Sequence, residues 1–174
     1  TVEFVFDSVK SWVVNGGRIG TASAAELAAF PGNADSSALR GVFGVDLKVG
    51  GTKIPAELKL YFRDVFAGQF ANVYKLNGGV LEFQRCVKVG KDGSVTVPGA
   101  DAAGEYVVMV CEFSDLSGDA DNDGALSALD VSAVLKQIVG MTKSANSAMC
   151  DFNGDGEVNA LDAAAMLKAV VGAR

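Results

Sequence analysis

Asp119-Ala120-Asp121-Asn122-Asp123-Gly124-Ala125-Leu126-Ser127-Ala128-Leu129-Asp130 is the stretch whose reading decides the C-terminal third of this chain. It returns as Asp151-Phe152-Asn153-Gly154-Asp155-Gly156-Glu157-Val158-Asn159-Ala160-Leu161-Asp162. Acidic or amide side chains at loop positions one, three and five offer a hard cation several oxygens from one tight turn. Gly at position six permits the sharp bend, and position seven (Ala125, Glu157) offers its carbonyl. Position nine supplies Ser127 or Asn159, and position twelve closes the cage with Asp130 or Asp162. Asp, Asn and Gly also dominate ordinary turns. Two such loops in register, each followed by an apolar helical run, point instead to two calcium ions.

The helical runs repeat as well. Val131, Val134, Leu135 and Ile138 fall at i, i+3, i+4, i+7, and Ala163, Met166, Leu167 and Val170 follow the second loop. These stripes are expected to pack on each other as a small core, with Phe152 nearby and 142–149 as the connector. Two features depart from a full EF-hand. Position twelve holds Asp where a bidentate Glu is usual, and Phe113-Ser114-Asp115-Leu116-Ser117-Gly118 is too short and too rich in Gly and Ser to be an entering helix. Each unit therefore reads as loop plus exiting helix, half an EF-hand, and the unit is duplicated.

That combination resembles the dockerin module of cellulosomal proteins, over roughly Gly118 to Gly172. The resemblance implies calcium ligation at both loops and a cohesin module of a scaffoldin or cell-surface protein as partner. It also implies a secreted, extracellular setting in a cellulosome. In dockerins, loop positions ten and eleven and helix positions seventeen, eighteen and twenty-two contact cohesin. Here these are Ala128, Leu129, Leu135, Lys136 and Gly140, and their twins Ala160, Leu161, Leu167, Lys168 and Gly172. Helical spacing places Leu129, Ala133, Lys136 and Gly140 on one face, and Leu161, Ala165, Lys168 and Gly172 on its counterpart. Leu135 and Leu167 have two readings, since periodicity assigns them to the core and the family to the interface.

Charge follows the same division. The chain of 174 residues carries a net charge of −6. Twelve acids oppose eleven bases through Phe113, and nine oppose four from Ser114 onward. The acidity thus belongs to the loops, whose seven Asp side chains repel one another without a metal. No basic patch offers itself to nucleic acid, and no apolar run is long enough to cross a bilayer. No charged-then-apolar leader stands at Thr1. Cys86, Cys111 and Cys150 are too few for a disulfide framework or a zinc cluster. Cys86 and Cys111 read as small buried thiols, or as a disulfide if their strands are neighbours. Cys150 reads as a packed thiol.

Residues 1–113 read as a separate β module and 114–174 as the dockerin-like tail. Strands are expected over Val2–Phe6, Ser11–Val14, Val42–Val49 and Glu57–Phe62. Others fall at Val73–Leu76, Val80–Phe83, Ser94–Val97 and Glu105–Phe113. Asn77-Gly78-Gly79 signals a hairpin, Lys91-Asp92-Gly93 a turn, and the capping box at Ser23–Glu26 a short helix to about Phe30. Short strands so spaced predict an immunoglobulin-like β-sandwich. A β module in that place is similar to the X module of scaffoldin-type proteins. Trp12, Tyr61, Phe66, Phe70 and Tyr74 are candidates for a sugar-stacking platform, although alternation assigns most of them to the core.

The leading reading is a non-enzymatic, calcium-dependent adaptor. Its rivals are an EF-hand calcium sensor or buffer, which needs entering helices, and a carbohydrate-binding module with a calcium-stabilised tail. An enzyme is disfavoured. The chain has no His, no nucleophile elbow and no phosphate-cradling loop. Glu57 with Glu82 is the nearest approach to an acid/base pair.

Overall fold

Tyr106-Val107-Val108-Met109-Val110 is an unbroken apolar run, and such a run suits a strand covered on both faces. All five residues are buried. They lie in the unit Thr1–Glu112, one of two into which the chain divides; the other is Phe113–Arg174. The computed structural model describes residues 2–5, 12–14, 17–19, 39–45, 48–49, 52–53, 58–62, 65–77, 80–97 and 104–172. The expected helix from Ser23 lies outside these, as do Gly78 and Gly79 of the hairpin turn.

The described strands of the first unit are β1 (Val2–Val5), β2 (Trp12–Val14), β3 (Gly17–Ile19), β4 (Leu39–Val45), β5 (Lys48–Val49) and β6 (Thr52–Lys53). They continue as β7 (Leu58–Tyr61), β8 (Phe70–Asn77), β9 (Val80–Lys88), β10 (Ser94–Val97) and β11 (Gly104–Cys111). One sheet runs β4-β11-β8-β9, another β1-β7-β10, and β2-β3 and β5-β6 form local pairs. The hairpin at Asn77 is present, with Asn77 opposite Val80. The single strand expected over Val42–Val49 is instead two elements, because Lys48 and Val49 pair locally with Lys53 and Thr52. The turn at Lys91-Asp92-Gly93 is closed by Gly90 N–H to Ser94 O (2.8 Å), with Gly93 at φ +75°. It does not return β10 onto β9: Ser94–Val97 crosses to pair antiparallel with β7, on whose other side β1 runs parallel.

The two larger sheets share one core. Leu60, Val95 and Val97 from the three-stranded sheet meet Ala71, Val73, Tyr106, Val108 and Val110 from the four-stranded sheet. On the opposite face of β8 and β11, Asn72, Tyr74, Val107 and Met109 are equally buried. Tyr74 meets Phe83 edge-on at 5.7 Å. Two of the candidate sugar-stacking aromatics, Phe70 and Tyr74, are therefore core residues. Tyr61 is half-buried with the Lys59 ammonium 5.2 Å from its ring, and Phe66 stands in solvent. The side chain of Trp12 lies outside the described residues. Lys59 also donates to Asp92 (2.9 Å). The Ser94 hydroxyl, 2.6 Å away, and then the Lys59 ammonium hold the Asp92 carboxyl well below its usual range. An ion pair this exposed adds little stability; its effect is to order the turn.

Cys86 and Cys111 are half-buried thiols. Cys86 lies opposite Asn72 and Cys111 opposite Phe70, so β8 separates their strands and no disulfide joins them. Glu82 accepts from the Asn77 amide (2.7 Å) at the hairpin end, and the side chain of Glu57 lies outside the described residues.

In the second unit, α1 (Ala128–Ile138) and α2 (Ala160–Val170) each begin with a capping box. The connector contains a 3-10 turn at Ser147–Met149. No helix among the described residues is long and apolar enough to cross a membrane. The core consists of Ala120, Val131, Val134, Cys150, Ala163 and Met166, with Phe152, Leu126 and Val158 packed against it. The expected apolar stripes are only half right. Leu135, Ile138 and Leu167 stand exposed, because a unit with two short helices has only one contact face per helix and Val131, Val134, Ala163 and Met166 fill it. Ala133, placed by spacing on an outer face, is half-buried against this core.

Gly118 sits where the first loop begins, at φ +85°, and a Cβ there would lie 2.8 Å from Leu126 Cδ1 and 2.9 Å from Phe152 Cδ2. Gly118→Ala should therefore destabilise the second unit by about 1–3 kcal/mol, from backbone strain plus overpacking. Urea unfolding of the calcium-loaded chain measures it.

Candidate metal centres and the surface beside them

Position one anchors each loop by accepting backbone amides. In the first, Asp119 Oδ1 accepts from Asp123 N (2.9 Å) and Oδ2 from Gly124 N (3.0 Å). In the second, Asp151 Oδ1 accepts from Gly154 N (2.9 Å) and Oδ2 from Gly156 N (2.9 Å). Position three accepts from position five: Asp123 N reaches Asp121 Oδ1 (3.2 Å) and Asp155 N reaches Asn153 Oδ1 (2.9 Å). Position five accepts from position seven, Ala125 N and Glu157 N, each at 2.9 Å. The side-chain oxygens at positions one, three and five thus each accept from an amide two to five residues ahead. Gly124 (φ +93°) and Gly156 (φ +89°) supply the left-handed backbone that this winding needs.

Position twelve works differently. Asp130 Oδ2 accepts from Ser127 N (2.7 Å) and Oδ1 from Asp121 N (3.1 Å). Asp162 likewise accepts from Asn159 N (2.8 Å), Phe152 N (2.9 Å) and Asn153 N (3.1 Å). One carboxylate therefore closes the helix cap and staples the loop's start to its end. Ser127 Oγ and Asn159 Oδ1 are N-caps, accepting from Leu129 N (3.0 Å) and Leu161 N (2.8 Å). Each keeps a further acceptor position.

The ligand atoms of Asp119, Asp121 and Asp123 lie within 4.8 Å of one another. Burial, followed by repulsion from Asp130, Asp123 and Asp119, pushes the Asp121 carboxyl up. Burial also raises Asp119, against the hydrogen bonds from Ser114 and the Gly124 and Asp123 amides. At Asp162 burial acts upward too, but the amides of Asn159, Asn153 and Phe152 outweigh it and hold the carboxyl below its usual range. The second loop carries an amide at position three, and Asn153 Nδ2 donates to Asp155 Oδ2 (2.9 Å). Three carboxylates of the first loop gathered this closely fit a divalent cation with hard oxygen ligands.

Beside each loop the exiting helix leaves apolar side chains in solvent. Leu129 is 66% exposed and Leu161 63%; Leu135 is 45% and Leu167 48%. Ala128, Lys136, Ala160 and Lys168 are exposed with them. Gly140 (φ +72°) and Gly172 (φ +66°) end the helices in the left-handed conformation, so a capping role already accounts for both. Residues 117–171 match the family model of the dockerin type I domain. This segment is a dockerin type I domain.

No curated protein and no solved structure matches the chain. Dockerin domains are non-catalytic, bind calcium and cohesin modules, and are typical of extracellular cellulosome components. Among the described residues no helix leads directly into the first loop of this dockerin, and only the 3-10 turn leads directly into the second. That arrangement excludes an intact EF-hand pair. Sequence reasoning missed position four, where Asn122 (φ +61°) and Gly154 (φ +74°) both take the left-handed conformation. It also missed Ser114, which is fully buried against the first loop.

Because the fold raises Asp121, its charged form costs the metal-free dockerin stability. That cost is absent below the ordinary carboxyl value of 3.8 and grows as pH rises through the folded value. In EDTA at neutral pH, Asp121→Asn should therefore raise the dockerin's melting temperature by a few degrees, and the gain should vanish in acid. With calcium present the same substitution should lower it, through loss of a ligand. Calorimetric melts in both buffers measure the change of sign.

Proposed function

We propose that the chain is a non-catalytic, calcium-dependent adaptor. Its dockerin binds a cohesin module and so anchors the parent protein to a scaffoldin or cell-surface component of an extracellular cellulosome. The observation that carries this reading is the duplicated pairing of an inward-turned carboxylate loop with an exposed leucine–lysine face. A solvated helix face needs no leucine at two-thirds exposure, and here one recurs at the same place in both repeats. Two calcium ions are held, one by Asp119, Asp121, Asp123, Asp130, the Ala125 carbonyl and Ser127. The other is held by Asp151, Asn153, Asp155, Asp162, the Glu157 carbonyl and Asn159. When bound, calcium supplies the positive charge that offsets carboxylate repulsion. The chain's own residues then fix the loop ends to the helix caps and hold the recognition faces in place.

Ala128, Leu129, Leu135, Lys136 and Gly140, with Ala160, Leu161, Leu167, Lys168 and Gly172, form two near-equivalent contact faces. Each has an apolar anchor and a charged rim. Residues 1–113 are a structural, X-like β-sandwich module and 114–174 the dockerin. The core shared by the two larger sheets supports the sandwich reading. Burial of Phe70 and Tyr74 weighs against a sugar platform.

Isothermal titration should give two calcium ions per chain, and EDTA should abolish capture by a cohesin panel. A stoichiometry of one would overturn the two-site assignment. If the two faces offer equivalent orientations on one cohesin, replacing Leu129 and Lys136 with Ala removes one of two modes and costs only about twofold in affinity. Replacing Leu161 and Lys168 should do the same, and all four substitutions together should abolish binding. Complete loss from one pair, with the helices intact, would mean a single fixed orientation.

A further inference from the structure

We propose that Asn122 is a junction clamp. Through Ser114 it makes the order of Phe113–Gly118, where the chain passes from β11 into the dockerin, depend on the state of the first loop. The inference rests on the calcium reading of that loop. It concerns a residue with no place in the ligand set.

A Ser in a short, Gly- and Ser-containing connection is ordinarily solvated. Ser114 is fully buried, and all three of its polar groups are engaged. Its N–H donates to Asn122 Oδ1 (2.9 Å), and its carbonyl accepts from Asn146 Nδ2 (2.7 Å) in the connector ahead of the second loop. Its hydroxyl accepts from Leu116 N (3.1 Å) and hydrogen-bonds the Asp119 carboxylate. Two of these partners, Asp119 and Asn122, belong to the first loop, at positions one and four.

Position four requires a left-handed backbone, which favours glycine. The second loop meets it with Gly154 at φ +74°, while the first holds Asn122 there at φ +61°. Asn tolerates this conformation better than most residues, and its amide reaches Ser114, which Gly154 has no side chain to imitate. The first loop thus carries a tether that the second lacks by composition. Asp119, Asp121 and Asp123 crowd within 4.8 Å, so winding this loop without a cation is opposed by their repulsion. Loosening the loop displaces Asn122 and Asp119 together, and Ser114 loses both. Loss of calcium therefore frees the junction, and loading fastens it.

The test is hydrogen exchange, read by mass spectrometry on the peptide covering 113–118 of the full chain, with calcium stoichiometry measured in parallel. Asn122→Gly keeps the backbone conformation and all calcium ligands but removes the tether. In calcium, its 113–118 segment should exchange about fivefold faster than wild type, the factor expected of one ordinary hydrogen bond lost from a local opening. Wild type in EGTA should lose protection there as well. If Asn122→Gly binds calcium normally and its junction exchanges as slowly as wild type, the clamp is wrong. Should that variant bind calcium more weakly, both proteins are compared at calcium concentrations that saturate each: faster junction exchange in Asn122→Gly supports the clamp and unchanged exchange overturns it. Failure of the wild-type chain to bind calcium would sink the functional reading instead, and the variant's exchange would still decide the tether.

Discussion

Buried carboxylate is the constraint on which the C-terminal unit depends. Asp119, Asp130 and Asp162 are fully shielded from solvent in a unit whose apolar core is only a handful of side chains. Burying an ionised group without compensation costs far more than such a core supplies. Backbone amides provide part of the compensation: each of these carboxylates accepts at least two N–H groups from loop or cap. The amides fix position as well as charge: in the first loop Asp119 is held beside Asp121 and Asp123, with ligand atoms within 4.8 Å of one another. On the proposed reading a cation among these oxygens completes the compensation, and metal binding would then be coupled to folding.

The same economy explains the exposed leucines. Two eleven-residue helices have one mutual contact face each, and Val131, Val134, Ala163 and Met166 occupy it. Leucines beyond that face gain nothing from the fold of the isolated unit, and Leu129, Leu135, Leu161 and Leu167 stand in water as pairs related by the repeat. The repeats diverge where they touch the rest of their unit. Gln137 accepts from Ser144 N (2.9 Å) and ties α1 to the connector, while its counterpart Ala169 is exposed. Asn122 and Gly154 differ for the same reason. Similarity is kept on the outward faces, and difference appears where one repeat has a neighbour the other lacks.

In the N-terminal unit the organising interaction is apolar. Central strands β8 and β11 are covered on both faces, so their polar residues must find partners inside; the Asn72 amide donates to Cys111 Sγ (3.6 Å). Polar chemistry is left to the margins, in the Lys59–Asp92–Ser94 turn and the Asn77–Glu82 contact at the hairpin end.

What the sequence alone determined is what local chemistry dictates. The twelve-residue loops, both helix starts, the absence of an entering helix and the hairpin at Asn77 depend on residues within a few positions of one another. Side-chain type and φ preference settle such features before any tertiary contact forms. Only the tertiary structure decided that Leu135, Ile138 and Leu167 face solvent, because periodicity marks an apolar stripe without saying how wide a partner it meets. Only it showed β10 leaving β9 for β7, β1 running parallel to β7, and β8 standing between Cys86 and Cys111, since strand order is a matter of contacts far apart in sequence. Ser114 is the sharpest case. In sequence it is an ordinary linker residue, and its burial comes from Asn122 and Asn146, eight and thirty-two positions away, which only folding brings to it.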